Sequence, residues 1–120
     1  MSKKILIVED EKPMAKALEL KLTSEGFEVE IAADGVKAIE LLESGAFDLM
    51  LLDLVMPGLD GFGVLQQIKD KNIKTNVIVS SNLGQEEDFK RAKDLGAVDY
   101  LVKSDTTLAQ IVEKIKTYIG

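Results

Sequence analysis

The chain of 120 residues contains no cysteine, no histidine and no tryptophan. Without cysteine there can be no disulfide, no CxxC redox pair and no thiolate metal site, which suits a reducing compartment. Without histidine there is no Ser-His-Asp triad, no ordinary zinc site and no phosphohistidine on this chain. Titratable chemistry is left to carboxylates, lysine and tyrosine. Basic charge is also scarce: 15 Lys and Arg stand against 21 Asp and Glu, a formal net charge of −6. Nucleic-acid and anionic-lipid surfaces call for a basic footprint, so direct binding to either is not expected. No apolar stretch approaches a signal h-region or a membrane span. The expectation is a cytoplasmic protein with no membrane association.

What is present is apolar residues, 46% of the chain, enough for a real core. At this length one domain, 1–120, is expected. Apolar runs of strand character, near 3–8, 27–32, 47–53, 75–80 and 97–102, alternate with helical-period segments. The first helix opens near Glu11 or Lys12 with Pro13 in its first turn, where a missing N–H costs little. Met14, Leu18 and Leu22 form its expected stripe. The second carries Val36, Ile39 and Leu42, the third Phe62, Leu65 and Ile68, and the fourth Phe89, Ala92 and Leu95. The last shows the clearest stripe, Leu108, Ile111, Val112, Ile115 and Ile119. Such alternation implies right-handed βαβ crossovers and a parallel sheet covered on both faces. The expected fold is a three-layer α/β sandwich of (βα)5 type, flavodoxin-like, with sheet order 2-1-3-4-5.

In that order strands 1 and 3 are neighbours at the switch point, where ligands bind beyond the carboxyl ends of strands. Strand 1 ends in Glu9-Asp10-Glu11 and strand 3 in Asp53, which is expected at the solvent rim. Strand 4 ends at Ser80, and strand 5 carries Tyr100 and ends at Lys103. Each has a bland reading alone: a turn cap for Asp53 and Ser80, a helix N-terminus for the acidic run, a solvated charge for Lys103, a wet rim residue for Tyr100. Together they place acid, acid, hydroxyl and lysine on four strand ends, which are the parts of a Mg²⁺-dependent phosphoryl site.

These residues carry a resemblance that spans the whole chain. Glu9-Asp10, Asp53, the turn Met56-Pro57-Gly58-Leu59-Asp60-Gly61, Ser80, and Gly96-Ala97-Val98-Asp99-Tyr100 followed by Lys103 resemble the receiver domains of two-component response regulators. The resemblance implies a phosphoacceptor that assists its own phosphorylation and dephosphorylation, not an enzyme in the ordinary sense. Asp53 would take a phosphoryl group from a histidine kinase or histidine phosphotransfer protein. Asp10, Asp53 and the Val55 carbonyl would hold Mg²⁺ directly, with Glu9 direct or through water. Lys103 would pair with the phosphoryl group. Ser80 would then bond it, Tyr100 would turn inward, and the fourth helix, fifth strand and last helix would shift to control an output domain or protein. The chain would be a monomer or a weak phosphorylation-dependent dimer, through charges at Lys90, Arg91, Asp94, Asp99 and Lys114.

Two positions depart from the family pattern. Glu9 stands where Asp is more usual, and Ser104 follows Lys103 where proline is common. A cis bond before a non-proline costs about 2.5–4 kcal/mol, so Lys103-Ser104 is expected trans, with Ser104 or Asp105 capping the last helix. Two other functions share parts of the pattern. A non-phosphorylated pseudo-receiver would act by protein contact alone. A haloacid-dehalogenase-like phosphatase would place a second Asp two residues after the nucleophile, where this chain has Val55.

Overall fold

The computed structural model describes residues 2–120. Five strands alternate with five helices: β1 (Lys4–Val8), α1 (Lys12–Ser24), β2 (Glu28–Ala32), α2 (Gly35–Ser44), β3 (Leu49–Leu52), α3 (Gly61–Asp70), β4 (Asn76–Ser81), α4 (Glu86–Asp94), β5 (Asp99–Val102) and α5 (Leu108–Ile119). All strand pairs are parallel, in the order β2-β1-β3-β4-β5. The expected fold and sheet order are those found.

The central strands read as unbroken apolar runs because both their faces are covered. Leu6, Val8, Met50, Leu52, Val77 and Val79 face Ile39, Leu42, Phe62, Leu65 and Ala92 of α2, α3 and α4. Ile5, Ile7, Leu49, Leu51 and Ile78 face Leu18, Leu22, Ile111, Val112 and Ile115 of α1 and α5. Each such buried side chain is worth roughly 1.5–3 kcal/mol, and the two layers hold the strand ends in fixed register.

Two helix stripes differ from expectation. Met14 is exposed, and Ala15 joins Leu18 and Leu22 as the buried set of α1. Val36 is also exposed; the buried set of α2 is Gly35, Ala38, Ile39 and Leu42. In both helices a small residue takes the place against the sheet.

Caps fix where helices start. The Asp34 carboxylate accepts from the Lys37 N–H at 2.8 Å, and that of Asp60 accepts from the Gly63 N–H at 2.9 Å. The cap of α5 is not Ser104 or Asp105 but Thr107, in a reciprocal box with Gln110. Ser104 and Asp105 are taken up instead by a 3-10 turn, Lys103–Asp105, directly after β5. Among the described residues no peptide bond is cis, so Lys103-Ser104 is trans as expected.

Candidate functional site

Val8 and Leu52 are register partners on adjacent strands, so Glu9 and Asp53 leave the sheet side by side. The ladder continues one residue further: the Asp53 N–H donates to the Val8 carbonyl at 3.0 Å, and the Glu9 N–H to the Ala32 carbonyl at 3.1 Å. Both carboxylates are therefore placed by backbone. Asp53 is only 6% exposed and Glu9 4%. This corrects the expected solvent-rim position of Asp53, which lies beneath the rim under Lys103. Asp10 is exposed, and carboxylate oxygens of Glu9, Asp10 and Asp53 lie within 4.8 Å of one another. The loop that follows is bent around Asp53: its Oδ1 accepts from the Val55 N–H at 3.2 Å, while the Val55 side chain is exposed.

Lys103 reaches in from the end of β5. Its Nζ donates to Glu9 Oε1 in a short contact and to Asp53 Oδ2 at 3.2 Å. Burial pulls the ammonium pKa down, but the Glu9 hydrogen bond and the charges of Asp53 and Glu9 outweigh it and leave it raised. Burial also raises the Glu9 pKa, against the lowering effect of Lys103 and the Glu11 N–H. The two shifts have different causes: burial lifts Glu9, whereas its carboxylate partners lift Lys103. Two buried carboxylates share one ammonium, so the cluster has an excess negative charge and favours any added positive one. With Asp10 the excess grows. Hard, clustered carboxylate oxygens with unbalanced charge fit a divalent cation of the Mg²⁺ type.

The other two expected residues lie on opposite sides of the sheet. Ser80 is register partner of Leu101 and continues the Ile78 face toward α1 and α5; it is buried. Tyr100 pairs with Val79 on the α4 face. Its hydroxyl donates to the Leu83 carbonyl at 2.6 Å, and its ring meets Phe89 edge-on at 4.5 Å. In this structure Tyr100 is partly buried, packed against α4 through Phe89 and tied to the β4–α4 loop through Leu83. Burial, then the Asp88 charge, raises its pKa, against a lowering effect of the nearby Ser81 hydroxyl.

Ser81 is the residue that sequence reasoning missed. It is fully buried, and its Oγ accepts from the Leu83 N–H at 3.3 Å. Side chains alternate faces along a strand, so only one of two adjacent serines can share Tyr100's side. The pairing of Val79 with Tyr100 makes it Ser81. A groove of about 590 Å³ lies elsewhere, between α3 and α4, where Arg91 lies over the Phe62 ring at 4.0 Å. The titratable cluster lies outside that groove, and shifted pKa values of this kind gather at functional sites.

Residues 5–116 match the family model described as the response regulator receiver domain. The chain belongs to that family. This receiver is 36% identical over 111 residues to the transcriptional regulatory protein DltR of Streptococcus agalactiae, covering 90% of this chain and 50% of that protein. It thus spans about half the length of the curated relatives it matches. Among solved structures, the receiver domain of the Francisella response regulator 1452 superimposes with a TM-score of 0.92 at 28% identity, over 98% of this chain and 96% of that one. TrrA of Thermotoga maritima, solved in complex with Mg(2+)-BeF, has a TM-score of 0.85 at 32% identity, covering 97% and 98%.

Proposed function

We propose that residues 1–120 form one receiver unit that acts as a phosphorylation-dependent switch, with Asp53 as the phosphoacceptor. The observation that carries this reading is the three-way contact of Lys103 with Asp53 and Glu9 beside Asp10. A buried lysine between carboxylates is costly to assemble, and this one stands where a transferring phosphoryl group needs charge neutralised. One Asp53 oxygen attacks the phosphorus of a phosphohistidine on a kinase or phosphotransfer protein. The P–O bond forms as the P–N bond breaks, and the partner imidazole takes up a proton. Mg²⁺, when bound, would neutralise charge on the phosphoryl oxygens. Asp10, Asp53 and the Val55 carbonyl would hold it, with Glu9 direct or through water.

Lys103 then exchanges a carboxylate partner for a phosphoryl oxygen. The Ser80 hydroxyl then donates a hydrogen bond to a phosphoryl oxygen of the new group. Ser80 lies one residue beyond the Leu52–Val79 pair, beside Asp53, whereas Ser81 is joined to Leu83 and through the Leu83 carbonyl to Tyr100. The Ser81–Leu83–Tyr100 unit is the better-supported route by which a pull at the site reaches α4. The output lies in a further domain or protein, the setting is cytoplasmic, and the chain is a monomer or a weak phosphorylation-dependent dimer. Mg²⁺ and a small-molecule phosphodonor should add one phosphoryl group to the chain, read as intact mass. No gain would leave a contact-only module, and fast multiple turnover of the donor would mark a phosphatase.

A further inference from the structure

Lys103 is held at both ends. Its ammonium meets Glu9 and Asp53. Its backbone opens the 3-10 turn Lys103–Asp105, closed by the Thr106 N–H on the Lys103 carbonyl at 3.3 Å. The Thr106 hydroxyl also donates to the Val102 carbonyl at 2.7 Å. The β4–β5 register ends at Ser81 and Val102, but one contact extends it. The Ser104 N–H donates to Asn82 Oδ1 at 2.9 Å, across 22 residues of sequence. Asn82 directly follows Ser81, whose Oγ takes the Leu83 N–H, and the Leu83 carbonyl takes the Tyr100 hydroxyl. One residue thus joins the hydroxyl unit of the β4–α4 loop to the turn that carries the lysine.

This link depends on two residues together. A proline at 104 would have no N–H to give, and a side chain at 82 without an oxygen would have nothing to receive it. Asn82 and Ser104 are both exposed, so burial does not hold this junction and the hydrogen bond is its specific contact. We propose that Asn82 is a positioning residue for Lys103, acting through the Ser104 N–H, and that it makes the β4–α4 loop and the lysine turn move as one. Resting on the reading of Lys103 given above, a pull on the loop through Ser81 or Tyr100 also draws the backbone of Lys103. The lysine therefore reports loop position, and the loop reports the lysine's partner.

The test uses the full chain, metal-free and unphosphorylated, followed by NMR. Neither readout needs Asp53 chemistry, so a failure here is distinct from a failure of the phosphoacceptor reading. Asn82→Ala should speed hydrogen exchange of the Ser104 amide about two- to tenfold, the range for loss of one modest hydrogen bond. It should also move the side-chain amine and ε-carbon signals of Lys103 toward those of the exposed lysines. Asn82→Asp, which keeps the acceptor, should restore wild-type Ser104 exchange. Ser104→Ala should leave both readouts unchanged, while Ser104→Pro should shift the Lys103 signals as Asn82→Ala does. Unchanged Ser104 exchange in Asn82→Ala would overturn the proposal. So would faster exchange with the Lys103 signals unmoved, because the contact would then hold the turn without positioning the lysine.

Discussion

Glu9 and Asp10 are adjacent carboxylates with different partners, and that difference ranks them as cation ligands. The Glu9 carboxylate is buried, holds Lys103 and accepts from the Glu11 N–H at 3.2 Å. Asp10 is exposed and lies within reach of both other carboxylates. A cation recruits Asp10 without breaking an ion pair, whereas Glu9 must first loosen from Lys103. Asp10→Ala should therefore weaken Mg²⁺ binding by roughly tenfold or more, as expected for a lost charged ligand, and Glu9→Ala by less. Isothermal titration reads both, and the reverse order would show that Glu9 is the principal ligand. At this scale the sequence was informative about identity and silent about depth. Asp53, Glu9, Asp10 and Lys103 were all legible as strand-end residues. That Asp53 lies under Lys103 was not, because the lysine's reach is set by the path of β5 and the turn after it. Ser81 was hidden for a related reason: which of two serines faces Tyr100 depends on register, which periodicity along one strand does not fix.

At the scale of elements, apolar runs and punctuation placed every strand to within two residues of where it lies. The stripes were less secure where two spacings fit equally. Met14 and Ala15 both stand at helical distance from Leu18, and only the sheet edge decides which one is covered. Gly35 and Ala38 carry too little apolar bulk to announce a buried face. Gly61 shows why a small residue is needed at the site's edge. A Cβ there would lie 2.5 Å from the Asp53 carbonyl oxygen and 2.6 Å from the Leu54 Cα. Gly61→Ala must push the start of α3 away from the backbone that carries Asp53. It should cost about 1–3 kcal/mol, the range for overpacking, read by chemical denaturation; an unchanged midpoint would contradict this. A second test concerns α1 and α5. Lys116 Nζ donates to Glu25 Oε1 at 2.7 Å, and this bond and the Lys116 charge hold the Glu25 pKa below the ordinary glutamate value. A depressed carboxylate pKa stabilises the fold above the unfolded-state value and loses that contribution as pH falls through the folded one. Wild type should exceed Glu25→Gln in stability at neutral pH, and the gap should close in acid. A gap that does not change with pH would rule the ion pair out as its source.

For the whole molecule, the sheet order brings β1 and β3 together, and β5 brings in a lysine 50 residues from Asp53. On the α4–β5–α5 face Asp99 is used internally: Lys114 pairs with it at 3.3 Å, and the Tyr118 hydroxyl donates to it at 2.9 Å. Arg91 points to α3 instead. The large apolar side chains that face exposes are Phe89, Val98 and Tyr118, three residues interspersed with charge and too few for a stable unphosphorylated dimer. Sedimentation of the unmodified chain should give a single monomeric mass, and a dimer would mean that the Asp99 contacts open in solution. The most direct test of the account as a whole is where a phosphoryl group lands. Wild type and Asp53→Asn would be treated with a small-molecule phosphodonor, with and without Mg²⁺, and the modified peptide mapped by mass spectrometry. The expected result is one group on the wild-type peptide containing Asp53, only with Mg²⁺, and none on a folded Asp53→Asn. Equal incorporation by Asp53→Asn, or incorporation that ignores Mg²⁺, would contradict it.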